Sequence, residues 1–304
     1  MILELSDLPA QIALNPRQFI GIPIALVGAV FLSLGAQFQH HGVAKVEANT
    51  VEASGGLNPR QLLLLLSRPS WVIGTVMLGL AIVLQLVSLG YAPLIVVQPL
   101  GAVALVITSI VNARVSKIKL NRRSIIAIVL CVGGVGLFVL VAAFTARETP
   151  VTDSDLITIL IILGVVLVLF SLGFAFLRHR FKAVIYIVGA GVLYGFVATL
   201  AKVVIARALQ GDVNWLTILC IIALLAATGL GAYFVQNAYS SGPPDLVIAG
   251  LTVIDPLVAV TIGIVVLDEA SQAPLWAMIS FIVFGVTAIA GVFMLARYHP
   301  QAQN

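Results

Sequence analysis

RPSWVIGTVMLGLAIVLQLVSLGYAPLIVVQPLGAVALVITSIVNAR, residues 68–114, carries no charge between Arg68 and Arg114. A single helix of that length would be twice what a bilayer needs, since a hydrocarbon core about 30 Å thick takes about 20 residues at 1.5 Å each. The stretch therefore divides into two spans, 70–89 and 92–113, joined across Gly90, Tyr91, Ala92 and Pro93. Seven further runs of the same kind lie at 18–40, 122–144, 155–177, 182–206, 214–239, 244–267 and 274–296. The fold expected is all-α and integral to a membrane, with nine spans.

Composition agrees. Sixty-one per cent of the 304 residues are hydrophobic and 9% are charged, where a soluble domain carries roughly a quarter charged residues. The longest connection, 41–69, holds Glu47, Glu52, Gly55-Gly56 and the run Leu62 to Leu66, which suits an interfacial segment. The first span begins only after seventeen residues and ends in Gln39-His40-His41 without a small-residue cleavage site, so it reads as a helix rather than a signal peptide. Cys131 and Cys220 fall inside spans four and seven and are expected to be packing residues.

The formal charge of +4 is information about topology rather than a nucleic-acid surface. Twelve of the sixteen basic residues fall on one face: Lys45, Arg60, Arg68, Arg114, Lys117, Lys119, Arg122, Arg123, Arg178, Arg180, Lys182 and Arg297. The other face has Arg17, Arg147 and Arg207, with Lys202 near the end of span six. Positive loops stay in the cytoplasm. The N-terminus is thus expected outside and the C-terminus inside a plasma or inner membrane, which requires an odd number of spans.

The opening stretch has a distant echo. QLVSLGYAPLIVVQPLGAVALVITSIV from Gln85 aligns with QNAYSSGPPDLVIAGLTVIDPLVAVTIGIVV from Gln236 at an offset of 151, matching Gln85 to Gln236, Pro93 to Pro244, Val96 to Val247 and Leu100 to Leu251. A second proline, Pro99 or Pro256, follows in each. Spans two and seven run in opposite directions, so the repeat is inverted. The expected organisation is an extracytoplasmic segment 1–17, a first four-helix repeat 18–144, a linker-helix region 145–181, a second repeat 182–296 and a cytoplasmic tail 297–304. Inverted repeats with interrupted spans point to a transport site between the two halves.

These segments also resemble a known group. SSGPPDLVIAGLTVIDPLVAVTIGIVVLDEA (241–270) resembles the EamA-type repeat of the drug/metabolite transporter superfamily, where an acidic residue precedes a mid-helix proline and another closes the helix; here these are Asp255-Pro256 and Asp268-Glu269. RPSWVIG (68–74) and YAPLIVVQPLGA (91–102) look like the nine-span NIPA-like magnesium-transporter branch, in which a lysine occupies a place similar to that of Lys202. Two positions depart from the pattern: Asp255 replaces the usual glutamate, and Gln85 replaces the carboxylate that the magnesium branch carries in span two.

Asp255 lies midway along span eight, where a carboxylate costs about 2.5–3.5 kcal/mol on insertion scales, so it is expected to face a cavity, a partner or a proton. It either binds substrate or coupling ion, or satisfies backbone groups freed by Pro256. Lys202 either holds an anionic group, pairs with Asp255, or snorkels to the interface. Pro93 and Pro99, with Pro243, Pro244 and Pro256, remove backbone donors and free carbonyls, so they are expected to line a central cavity beside Gln98 and Asp255. Gln85, Gln236, Asn237, Tyr194 and Tyr233 are read either as substrate ligands or as interhelical hydrogen bonds. Gln37, Gln39, His40 and His41 form a polar cluster at the end of span one, read as interfacial residues or an inner gate. Gly191-x-x-x-Gly195 and Gly133-Gly134-x-Gly136 lack the strand and Lys-Ser/Thr of a nucleotide loop and are expected to be packing surfaces.

The leading expectation is a secondary transporter moving a small metabolite or drug by alternating access, coupled to protons or facilitative. A magnesium or divalent-cation transporter is the alternative, with a lipid flippase or a non-transporting scaffold behind it. No nucleophile–base pair or metal-ligand set is visible, so no enzyme activity, metal or cofactor is expected. The expected partners are a small-molecule or ion substrate and the lipid bilayer, with room for a homodimer and no nucleic acid.

Overall fold

The computed structural model describes residues 16–47, 67–115, 121–177, 182–241 and 244–298. Among them are nine helices: α1 Pro16–Glu47, α2 Pro69–Tyr91, α3 Leu94–Val115, α4 Arg122–Thr145, α5 Asp153–Leu177, α6 Lys182–Gln210, α7 Trp215–Ser241, α8 Pro244–Val265 and α9 Leu275–Tyr298. Each contains an apolar window long enough to cross a bilayer, and the described residues include no strand. The protein is a multi-pass helical membrane protein. The run Leu62 to Leu66 and Pro243 lie outside the described residues.

Local chemistry sets the helix starts. Pro69 occupies the first turn of α2, where its missing amide costs no hydrogen bond. Asn121 caps α4 by accepting from Ser124 N at 2.7 Å. Thr152 N donates to Asp155 at 2.8 Å in a box at the start of α5, and Asn214 Oδ1 accepts from Leu216 N and Thr217 N at the start of α7. Pro93 immediately precedes α3 and Pro244 opens α8. Those two prolines therefore start helices rather than interrupt them, a correction to the sequence expectation. Pro99 and Pro256 do lie inside α3 and α8. The helix α1 continues to Glu47, while its apolar span ends at Gln39, so Gln37 to His41 lie at the end of the span but inside the helix.

Glycines let backbones approach where side-chain packing alone would keep them apart. A Cβ at Gly134 would lie 2.6 Å from Ala288 N, and one at Gly291 would lie 2.4 Å from Cys131 N, so α4 and α9 are in backbone contact. Gly191 and Gly195 do the same for α6 against α8, facing Ile254 and Val258 at 2.6 Å. Helix α1 packs on α2 and α3, and α3 on α4; likewise α6 packs on α7 and α8, and α8 on α9. The two groups meet through α4 with α9, α3 with α8 and α2 with α6, while α5 rests on α6 and α7. The helices most enclosed are α3 and α6. The outward surfaces of the rest carry large apolar side chains such as Val76, Leu225 and Ile282, as a lipid-facing wall requires.

Candidate functional site

The turn between α2 and α3 is fully enclosed: Ala92, Leu94 and Ile95 have no exposed surface. Such a turn leaves carbonyls unpaired at the end of one helix and amides unpaired at the start of the next. Two charged side chains from elsewhere in the fold meet them. Lys202 Nζ, from α6, donates to Leu89 O at 2.7 Å and Ala92 O at 3.0 Å. Glu269, from the loop after α8, accepts from Leu94 N at 2.8 Å and Ile95 N at 2.9 Å. Each charge also matches the partial charge of the helix end it faces.

The Glu269 side chain is held in place from several directions. A Cβ at Gly263 would lie 2.7 Å from Glu269 Oε2, so glycine makes the space that the carboxylate fills. Glu269 N donates to Gly263 O at 3.0 Å and Glu269 O accepts from Arg147 N at 2.9 Å. Thr149 Oγ1 donates to Leu267 O at 2.7 Å, and Asp268 adopts a positive φ of 52°. Burial pushes the Glu269 carboxyl above its ordinary value, against the opposing pull of the Ile95 amide, the Lys202 ammonium and the Leu94 amide.

Glu148, in the segment after α4, forms an ion pair with Lys202. Lys202, Glu148 and Glu269 line a cavity of about 290 Å³ together with Thr149, Gln210 and the aliphatic side chains of Leu89, Val151, Ala206, Leu209 and Leu267. Behind it, Arg207 joins Asp153 at the start of α5 to Asp212 in the α6–α7 link, the latter at 2.7 Å, and donates to Val151 O at 3.2 Å.

The second polar locus is in the middle of α3 and α8. Asp255 Oδ1 and Gln98 Nε2 are both buried without a hydrogen-bond partner. Gly191 and Gly195 bring α6 against the Asp255 backbone, with Asp255 O 2.9 Å from the Cβ position of Gly195. Tyr194, between those glycines, lies within electrostatic reach of the Asp255 carboxyl. Pro99 and Pro256 share a cavity of about 80 Å³ with Val135, Phe138 and Ile289. This cavity is apolar apart from Thr252. Both prolines thus line one space, but that space is apolar, and the unsatisfied polar atoms belong to the residues that precede them.

Of the three readings for Lys202, pairing with Asp255 does not occur, because all the hydrogen bonds of Lys202 go to the α2 terminus and Glu148. Gln85 is half-buried on α2. Gln236 and Tyr233 are exposed, the Tyr233 ring lies near Phe234, and Asn237 Nδ2 donates to Tyr233 O of its own helix at 2.8 Å. Gln39 Nε2 donates to Thr75 Oγ1 at 3.2 Å, bridging α1 to α2. Gln37 is half-buried and His41 exposed, while the His40 side chain lies outside the described residues. No group of three His, Cys, Asp or Glu residues placed to hold a metal occurs among the described residues. Sequence reasoning missed Glu148 and the capping of the α3 amides by Glu269; the only signal for the latter was the acidic residue that closes the helix-eight motif.

Comparison with known proteins gives two similarities. The chain is 25% identical over 284 residues to an uncharacterised protein of Corynebacterium glutamicum, covering 91% of this chain and 95% of that one. It is 26% identical over 122 residues to an Arabidopsis thaliana protein named as a probable magnesium transporter NIPA1, covering 40% of this chain and 35% of that protein. No family model matches, and no solved structure matches.

Proposed function

We propose that the chain is a secondary membrane transporter that moves a small metabolite or drug by alternating access of two inverted four-helix units, α1–α4 and α6–α9, with α5 as the linker, in the manner of the drug/metabolite transporter superfamily. The observation that carries this is Asp255: a carboxyl with an unpaired buried Oδ1 halfway along α8, at a close backbone contact between α6 and α8. Intramembrane carboxyls of this kind mark ion and substrate pathways. The packing supports the two-unit reading, since each contact within α1–α4 (α1 with α2, α1 with α3, α2 with α3, α3 with α4) has its counterpart within α6–α9.

In this reading the α2–α3 turn faces outward, both termini follow the distribution of basic residues, and Asp255 is the coupling or binding group at the midplane. The protein acts without a cofactor and is not an enzyme. Reconstituted proteoliposomes loaded with a panel of labelled solutes test it: Asp255→Asn is expected to lower flux at least tenfold or abolish its dependence on a proton gradient. Unchanged flux and unchanged pH dependence in that variant reject the role.

A second reading, a magnesium transporter, is favoured by the similarity to the probable magnesium transporter of Arabidopsis thaliana. Magnesium retains several waters and needs one or two carboxylates, which Asp255 begins to supply. Magnesium flux into the same proteoliposomes, competed by no organic solute, separates this reading from the first.

A further inference from the structure

We infer that the cavity bounded by Glu148, Lys202 and Glu269 is a binding site for a solute with a cationic amine head and a short apolar body. The inference rests on the transporter reading for its purpose and on the cavity for its chemistry.

The polar lining of the cavity has two carboxyl groups, one ammonium, the Thr149 hydroxyl, which donates to Leu267 O, and the Gln210 amide, which faces the Val151 backbone. The three protons of the ammonium are engaged by Leu89 O, Ala92 O and Glu148, so Lys202 has nothing left to offer an anion. Glu269 gives one oxygen to each of two backbone amides. Glu148 spends one oxygen on Lys202 and keeps Oε2 for another donor. The unfilled valence of the site is therefore an acceptor with negative charge, which selects a hydrogen-bond-donating cation. The rest of the lining includes Val151, Ala206, Leu209 and Leu267, which are aliphatic. Enclosed apolar walls with a few fixed polar groups are the usual make-up of small-ligand sites. A fully hydrated metal ion would leave the aliphatic lining without a partner, whereas an alkylammonium satisfies both the charged and the apolar groups.

Thermal unfolding of the purified full chain in detergent tests this with butylammonium, methylammonium, butyrate and magnesium chloride as probes, because a ligand bound only by the folded protein raises its unfolding temperature. Butylammonium is expected to raise it saturably, with butyrate inert. Glu148→Gln is expected to weaken the apparent butylammonium affinity at least tenfold. Ala206→Leu, which fills the cavity without touching a charge, is expected to weaken butylammonium more than methylammonium and remains informative if Glu148→Gln folds poorly. Stabilisation by butyrate, a Glu148-dependent effect of magnesium without an amine effect, or wild-type binding in both variants overturns the proposal. Amine binding in a protein that carries no solute would remove the transporter reading and leave the site. Solute flux that butylammonium neither competes for nor inhibits would remove the site and leave the transporter reading.

Discussion

Lys202 and Glu269 come from distant parts of the chain, yet each completes the end of a helix to which it does not belong. Removing either leaves enclosed backbone groups without partners, at about 1–3 kcal/mol for each such group. Glu269→Ala is therefore expected to destabilise the protein by about 2–4 kcal/mol in detergent unfolding, with Glu269→Gln, which retains an acceptor, losing less. The raised carboxyl of Glu269 adds a pH dependence with a definite sign. Between the ordinary glutamate value and its own higher value, the folded protein holds a proton that the unfolded chain has released, so stability falls as pH rises through that window and levels off above it. Glu269→Gln should lack that part of the slope, which unfolding temperatures measured across the window would reveal. Sequence alone singled out Lys202 but left its partner open between an anionic group, Asp255 and the membrane interface. The actual partners are two carbonyls and a loop glutamate, and no periodicity or motif marks a carbonyl freed at the end of a distant helix.

At the scale of helices, apolar length was enough to place every span to within a few residues, because a bilayer leaves little choice about where an uncharged run can go. The exceptions are informative. The α1 helix runs on to Glu47, beyond its apolar part, since helical hydrogen bonding does not stop where hydropathy does. Pro93 and Pro244 read as breaks but serve as starts, and only position relative to the first turn separates those roles. Gly133, Gly134 and Gly136 look equivalent in the sequence, yet only Gly134 meets another helix; a Cβ at either of the others has open space. Gly134→Ala is accordingly expected to cost about 1–3 kcal/mol, while Gly133→Ala and Gly136→Ala should be neutral or stabilise by up to about 1 kcal/mol. Detergent unfolding of the three single variants makes the comparison within one helix.

The whole molecule joins its two groups of helices mainly along α4 with α9 and α3 with α8, and the second junction holds Gln98 and Asp255, two of the three described residues with a buried side-chain polar atom that lacks a partner. If α1–α4 and α6–α9 rock against each other, the cavity of Lys202, Glu148 and Glu269 must open and close, because its walls come from α2, α6 and the segments after α4 and α8. Cys131 and Cys220 are both buried, so a cysteine introduced at Thr149, an exposed position on the rim of that cavity, would be the reactive one. In intact cells Thr149→Cys is expected to react with a membrane-impermeant maleimide, since the α2–α3 end of the bundle faces outward in the proposed orientation. Labelling should slow at least severalfold in the presence of a transported solute, as occupancy shifts the population toward the inward-facing form. Reaction only after permeabilisation would invert the topology drawn from the basic residues. Reaction from outside at a rate that no solute alters would leave the topology standing and argue against movement of the cavity.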